Sequence, residues 1–489
     1  VKVVLVRPPF YALFGLTIPK MKTYPLNLLY LATYARDRGG YEAAVVDGES
    51  ISVPGLEPPD NTGADPENVM HARIPDMIEL LGDPDHRLWI ELERSILAEA
   101  PDVVGITCNS GNMDTVRLMV HRLKASGIPV ILGGSHPTVL PQQSLLYTGA
   151  DMVAIGEGEV TLTGVMDALA GRNLLTDIHS LARRVNGEVV ISPRGSVIPD
   201  VDDIPVPDRG FIDRADYFGE VILTGRGCPF KCSYCASRNL WGRNVRLRSV
   251  PSIIEELKML AEAADRDDFS DSWDESEEQR PGRWVVKIVD DTFTVSRKRT
   301  MALLDEIVSN GLNRFEFTGG VRADTLDEAL VDKMGRANFR RVTLGVESGS
   351  PAILKMIHKG ETNEDVIRAV NLLRDRGIRS HAFFMIGFPD ERPEDIELSK
   401  RLILDARPDH VEINMVTPYP GTEIFDKLMP GDPMEIDRWY RWFHQGMSTH
   451  SDRLGYDLDR AYEDFLKFAR EYHEAHVIQS PDADREPNV

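Results

Sequence analysis

Short apolar runs and helical periodicities alternate through the first third of the chain. Residues 3–7 read as a buried strand closed by Pro8-Pro9, and residues 24–35 place apolar side chains at helical spacing and stop at Gly39-Gly40. A second strand follows at 43–46. Residues 51–75 are rich in Pro, Gly, Asp and Asn and read as an irregular insertion. Residues 76–98 are helical in pattern. Then come a strand at 103–107, a helix at 114–125, and strands at 130–132 and 152–155. Such alternation predicts an open, Rossmann-like parallel sheet over residues 1–159. Ligands of these sheets bind beyond the carboxyl ends of the strands. The loops there are 8–22, 47–50, 109–114, 133–138 and 156–159, and their small residues let a large flat or phosphate-bearing ligand reach the backbone.

Residues 160–210 read as a connector: a helix at 162–170, a hairpin of 181–185 and 188–191 turning at Asn186-Gly187, and an Asp- and Pro-rich linker at 200–208. A second alternation begins near Phe211. Strands at 220–224, 284–289, 314–318, 341–346, 381–386 and 410–416 are separated by helical patterns at 253–261, 298–310, 328–336, 363–376 and 393–406. The α/β fold class therefore pairs the first sheet with a partial (β/α)6 TIM barrel over 211–425, whose chemistry belongs at the carboxyl ends of its strands. Residues 262–279 are half acidic and read as a solvated loop. A short helical C-terminal region spans 426–479. Its aromatics Trp439, Tyr440, Trp442, Phe443, Tyr462, Phe465, Phe468 and Tyr472 are expected to pack on the barrel, and 480–489 is expected to be a disordered tail.

Composition narrows the class. The 489 residues carry 42% hydrophobic and 27% charged residues, as an ordinary globular protein does. No run of ~18 apolar residues predicts a membrane span, and the opening Val1 to Val6 lacks the features of a signal peptide. The few cysteines point to a reducing cytoplasm. The net charge of -22 argues against a nucleic-acid partner and favours a small-molecule substrate.

Three of the four cysteines sit on one loop, Cys228, Cys232 and Cys235, spaced C-x3-C-x2-C. Structural cysteines have no reason to cluster on a Gly- and Pro-rich loop. A closed zinc site or an ordinary cluster takes four protein ligands. The fourth cysteine, Cys108, lies far upstream in an apolar strand, and no histidine is near the loop in sequence. Three ligands suggest a [4Fe–4S] cluster with one iron open; the alternative is a zinc loop completed by a remote ligand.

The loop, with Tyr234 before its last cysteine, resembles that of the radical S-adenosylmethionine (radical SAM) enzymes. Further stretches resemble the members with an N-terminal cobalamin-binding domain: residues 25–32, Gly133-Gly134-Ser135-His136-Pro137-Thr138, Gly156-Glu157-Gly158-Glu159, Asp290-Asp291-Thr292-Phe293, Arg322-Ala323-Asp324, Val346-Glu347-Ser348-Gly349, Lys359-Gly360, Ile386-Gly387-Phe388-Pro389 and Thr417-Pro418-Tyr419-Pro420-Gly421. The resemblance implies SAM on the open iron, an adenosyl radical that abstracts hydrogen, and an external electron donor of the flavodoxin or ferredoxin type. By position it makes Tyr234, Asp290, Asp291, Arg322 and Glu347 candidate SAM contacts, with Arg322 meeting the SAM carboxylate in a forked geometry, and Glu347 and Asp291 candidate catalytic groups. The plain alternatives are that Asp290 or Asp291 caps the next element and that Arg322 and Glu347 pair with one another. The D-x-H-x-x-G motif of some cobalamin proteins is missing, which decides little in this family. His136 reads as a hydrogen-bonded loop residue before a cobalt or phosphate contact.

Two reaction types fit. Size, the short C-terminal region and the acidic charge resemble the aminoglycoside-pathway diol dehydratase, which removes water from a sugar-like 1,2-diol with a partner reductase and an empty N-terminal domain. The alternative is a cobalamin-dependent C-methyltransferase. A non-catalytic cobalamin or cluster sensor is a third reading, against which the complete barrel signature stands. The sequence leans to the dehydratase.

Overall fold

The computed structural model describes residues 1–10, 24–51, 74–217, 219–266, 284–442 and 448–476. The readings of 8–22, 51–75, 262–279, Phe443 and the tail 480–489 fall wholly or largely outside the described residues. The chain divides into two compact units. One comprises Val1–Phe218, Tyr234–Asn244 and Thr417–Thr449; the other comprises Gly219–Ser233, Val245–Val416 and His450–Val489.

The first unit is built on strands β1 (Lys2–Arg7), β2 (Glu42–Asp47), β3 (Val103–Thr107), β4 (Val130–Gly133), β5 (Met152–Ala154), β6 (Leu181–Val185) and β7 (Glu188–Ile191). Their order is β2-β1-β3-β4-β5-β6-β7. Strands β1 to β5 run parallel, and the β6–β7 hairpin continues the same sheet in antiparallel sense. Side-chain alternation divides the apolar residues between two faces. Val4, Val6, Val104, Ile106, Val130 and Leu132 fill one core, while Val3, Leu5, Val103, Ile131 and Met152 fill the other. Sheet order reverses between β1 and β3, which puts the ligand crevice at their carboxyl ends.

Two local readings change. The helical stretch at 76–98 is two helices, Ile74–Gly82 and Arg87–Ala98. Pro84 cannot continue the first, and His86 caps the second, its Nδ1 accepting from Leu88 N at 3.2 Å. The C-terminal aromatics also divide. Trp439, fully buried, and Trp442 fill the first unit's core with Phe425. Asp114 explains why: its carboxylate accepts the Tyr440 N–H at 2.8 Å, and Tyr147 lies 3.0 Å from the Asp437 carbonyl, so residues 437–440 are fastened to the helices Met113–Ala125 and Pro141–Thr148.

The second unit holds a six-stranded parallel sheet of β8 (Glu220–Ile222), β11 (Val285–Ile288), β12 (Glu316–Val321), β13 (Phe339–Glu347), β14 (Arg379–Ile386) and β15 (His410–Met415). A separate two-residue ladder joins β9 (Gly225–Arg226) to β10 (Arg246–Leu247). Among the described residues the large sheet runs β15-β14-β13-β12-β11-β8 and does not close. Helices Val250–Arg266, Arg297–Ser309, Glu328–Arg336, Asn363–Arg374 and Pro393–Ala406 lie between its strands in the chain. Their starts are written locally: Asp327 accepts from Leu330 N, Thr362 and Asp365 form a reciprocal capping box, and Pro393 takes the first turn. Phe293, Phe339 and Phe317 stack at 5.6 Å intervals in the core, each worth about 1.5–3 kcal/mol of burial. The free edge of β15 is covered by the helix Leu458–His476. Tyr462 donates to the Ile413 carbonyl, Tyr472 to the Pro408 carbonyl, and His473 Nε2 accepts the Val411 N–H. Among the described residues no helix is long and apolar enough to cross a membrane.

Candidate functional site

The carboxyl ends of the barrel strands carry the polar groups. The cysteine excursion follows β8 and is closed at its base by the β9–β10 ladder, where Gly225 faces Leu247; a Cβ on Gly225 would sit 2.6 Å from that side chain. None of the four cysteines is paired in a disulfide. Cys228 and Cys232 are half-buried, Cys235 is exposed, and Cys108 is buried. Cys235, with Tyr234, belongs to the segment of the chain counted in the first unit. Among the described residues no three Cys, His, Asp or Glu side chains stand in a ready metal-holding arrangement. Cys228 Sγ lies 3.8 Å from Thr292 Oγ1. Burial pushes the Cys232 thiol up, against the pull of Lys359 and Arg322. Three thiols on one short loop, none of them in a disulfide, remain a donor set suited to an iron–sulfur cluster.

The candidate SAM contacts separate into groups. Asp290, at the end of β11, accepts the Thr224 N–H at 2.6 Å and the Thr224 hydroxyl, tying the ends of β8 and β11 together. Burial raises its pKa, with Thr224 opposing. Asp291 beside it is exposed. Arg322 and Glu347 do not pair with one another. Arg322 Nε and Nη2 hold Asp324 at 3.0 and 2.9 Å, and Nη2 also reaches the Lys359 carbonyl at 2.8 Å. The fork expected to meet a SAM carboxylate is thus occupied by Asp324, and Nη1 is buried with no hydrogen-bond partner. Glu347 accepts from Lys359 Nζ at 2.9 Å, and Glu361 stands 3.2 Å from the same ammonium. Burial alone would lower the Lys359 pKa, but Glu347 and Glu361 outweigh it and raise it. Glu347 occupies the left-handed region at φ +70°, beside a register shift between β13 and β14. A bulge there re-aims the side chain, at about 1–3 kcal/mol of strain. Sequence reasoning missed Lys359, Glu361 and Asp324 as partners. The only signal was that Lys359-Gly360 and Arg322-Ala323-Asp324 carried the resemblance.

After β14 the chain turns at Gly387, whose φ is +97°. Its N–H donates to Glu391 Oε2 at 2.6 Å, and its carbonyl accepts from His450 Nε2 at 2.8 Å. Tyr456 donates to the same Glu391 oxygen at 2.5 Å. Burial pushes the Glu391 carboxyl up to about 7, against these hydrogen bonds.

In the first unit His136 is fully engaged. Its ring nitrogens lie 2.9 Å from Ser110 Oγ and 2.9 Å from Gln143 Oε1, and Trp439 meets it edge-on at 4.4 Å. Burial lowers its pKa to about 4, so it is neutral and neither nitrogen is left for a cobalt. The loops after β4 and β5 are open. A Cβ at Gly133 would touch nothing, one at Gly156 would meet a single carbonyl at 3.8 Å, and Gly134 at φ +113° would press a Cβ to 2.4 Å from the Cys108 carbonyl. Bare backbone at the strand ends makes a cradle that fits a large flat ligand such as cobalamin.

The radical SAM superfamily model matches residues 222–403, and the B12 binding domain model matches residues 64–166. An uncharacterized methyltransferase of Pyrococcus horikoshii is 31% identical over 352 residues, covering 70% of this chain and 72% of its own. Cytidylyl-2-hydroxyethylphosphonate methyltransferase of Streptomyces wedmorensis is 26% identical over 429 residues, 79% of this chain and 73% of its own. The same fold is found in the radical SAM methyltransferase TsrM of Kitasatospora setae, solved with cobalamin and a [4Fe–4S] cluster. Its TM-score is 0.66 at 21% identity, over 88% of this chain and 78% of that one. The chain belongs to the radical SAM superfamily, with a B12-binding domain ahead of its core, and its cofactors are a [4Fe–4S] cluster and S-adenosylmethionine.

Proposed function

We propose that this protein is a cobalamin-dependent radical SAM methyltransferase acting on a small polar molecule. The observation that carries this reading is the open backbone cradle at Gly133 and Gly156, inside a sheet that matches the B12 binding domain. Several relatives bear methyltransferase names. The lean to a diol dehydratase, drawn from size and acidity, has no comparable support and gives way to this alternative.

When bound, the cluster and SAM supply a hydrogen-abstracting adenosyl radical, and cobalamin supplies a transferable methyl group. The chain supplies binding and position. Cys228, Cys232 and Cys235 hold the iron. The unpartnered Arg322 Nη1 offers one N–H to an anionic group, in place of a fork. Glu347, fixed by Lys359, presents a carboxylate to the SAM amine, and Asp291 is a further contact. Asp290 serves to hold the strand ends rather than the ligand. A low-potential flavodoxin or ferredoxin is the electron donor.

Purified protein loaded with hydroxocobalamin is expected to retain it stoichiometrically through gel filtration. A protein that retains none returns the dehydratase to the front. Alanine at Cys228, Cys232 or Cys235 is expected to abolish the iron–sulfur absorption, whereas Cys108→Ala leaves it intact. Retained absorption in any of the first three variants defeats the ligand assignment.

A further inference from the structure

The cysteine loop rests on a bed of its own. Phe230, between Cys228 and Cys232, lies against the Arg322 guanidinium, whose carbon is 3.8 Å from the ring centroid. The Ser233 N–H donates to the Ile357 carbonyl at 2.9 Å. Arg322 Nη2 donates to the Lys359 carbonyl at 2.8 Å, so one guanidinium joins the loop to the bend at 357–361. Arg322 is only 5% exposed, and it still holds an unused donor at Nη1. A buried cation with a free N–H is favourable only where negative charge faces it. Lys359, equally buried, is a second cation held by Glu347 and Glu361.

We infer that Arg322 is a positioning residue for the cysteine loop, acting through Phe230. With Lys359 it supplies the buried positive charge that raises the reduction potential of the cluster those thiols carry. The inference rests on the cluster reading of the loop. In the step concerned, one electron passes from a low-potential donor into the cluster. No bond forms or breaks at the cysteines, and no proton moves. The electron makes an anionic group more negative, so nearby buried cations favour the reduced form. The carboxylates of Asp324, Glu361 and Glu347 keep the two cations in place.

The test uses full-length protein reconstituted anaerobically with iron and sulfide. Iron per chain, the midpoint potential from an EPR-monitored dithionite titration, and the rate of iron loss to a chelator are measured. Arg322→Gln and Lys359→Gln are each expected to load iron to the wild-type amount yet lower the potential, and Arg322→Gln, which also loses the guanidinium on Phe230, to release that iron faster. The reduced-to-oxidised ratio at fixed ambient potential should fall about tenfold, about 59 mV for one electron. Arg322→Lys, which keeps the charge, should hold the potential near wild type while losing iron several-fold faster. Phe230→Leu should also lose iron faster at unchanged potential. If Arg322→Gln does not fold, Lys359→Gln carries the electrostatic half and Phe230→Leu the positioning half. Fully loaded glutamine variants with the wild-type potential overturn the first; a wild-type rate of iron loss in Phe230→Leu overturns the second. A wild-type protein that takes up no cluster strikes the underlying reading and this inference with it.

Discussion

Glu391 gives the sharpest test of the barrel's rim. The carboxyl is 4% exposed, and its Oε2 takes both the Gly387 N–H and the Tyr456 hydroxyl. Its pKa rises from 4.5 to about 7, with burial the leading cause. A folded-state pKa above the unfolded one means that the folded protein binds the proton more tightly. That stability is fully present below pH 4.5 and is lost as the pH rises through 7. At about 1.36 kcal/mol per unit the total is about 3 kcal/mol, of which about 2 kcal/mol is lost between pH 5.5 and 8. Glutamine cannot ionise and keeps an oxygen for Gly387. Glu391→Gln is therefore expected to gain about 2 kcal/mol over wild type across that interval, whatever its offset at pH 5.5. Paired urea denaturation at pH 5.5, 6.5, 7.2 and 8 measures the difference. Tyr456→Phe removes a bond that favours the carboxylate and should move the transition to higher pH. If wild type and Glu391→Gln give parallel curves, Glu391 is not the titrating group and the argument from burial fails.

Trp439→Ala should cost about 3–5 kcal/mol, since the ring is fully buried. Thermal unfolding with hydrogen exchange on β3 and β4 peptides should place the loss in the first unit, although the residue follows the barrel in sequence. Glu256→Ala should destabilise the protein by about 3–5 kcal/mol in denaturant titrations, because it strands the buried Arg248 that pairs with it. A loss below about 1 kcal/mol in either case would contradict the packing described for it.

Local signals were legible in the sequence, and non-local pairings were not. Periodicity located the hairpin of β6 and β7 and the strands of both sheets, because alternating burial and turn residues act within a few positions. The break at Pro84 was also present in the sequence, hidden by the helical spacing on both sides. At the site, the cysteine spacing stands out because its residues are adjacent. The partners of Arg322 and Glu347 were not legible. Lys359 is twelve positions beyond Glu347, and only a bulge with Glu347 in the left-handed region turns the carboxylate toward it. The same holds for Trp439 and Phe465: both sit in one aromatic tail, yet one fills the first unit's core and the other the barrel's.

That division has a consequence for how the protein is made. The first unit draws Phe425, Trp439 and Trp442 from a segment synthesised after the last barrel strand. While the chain emerges from the ribosome, its amino-terminal sheet waits for three large side chains encoded some 300 codons after β3. The nascent sheet therefore carries an unfilled apolar face until the barrel has been synthesised, and that is the interval in which it is most exposed to aggregation and to chaperones. For the same reason a fragment ending before the barrel lacks part of its own interior. The first unit becomes a finished body only after residue 442 has been added.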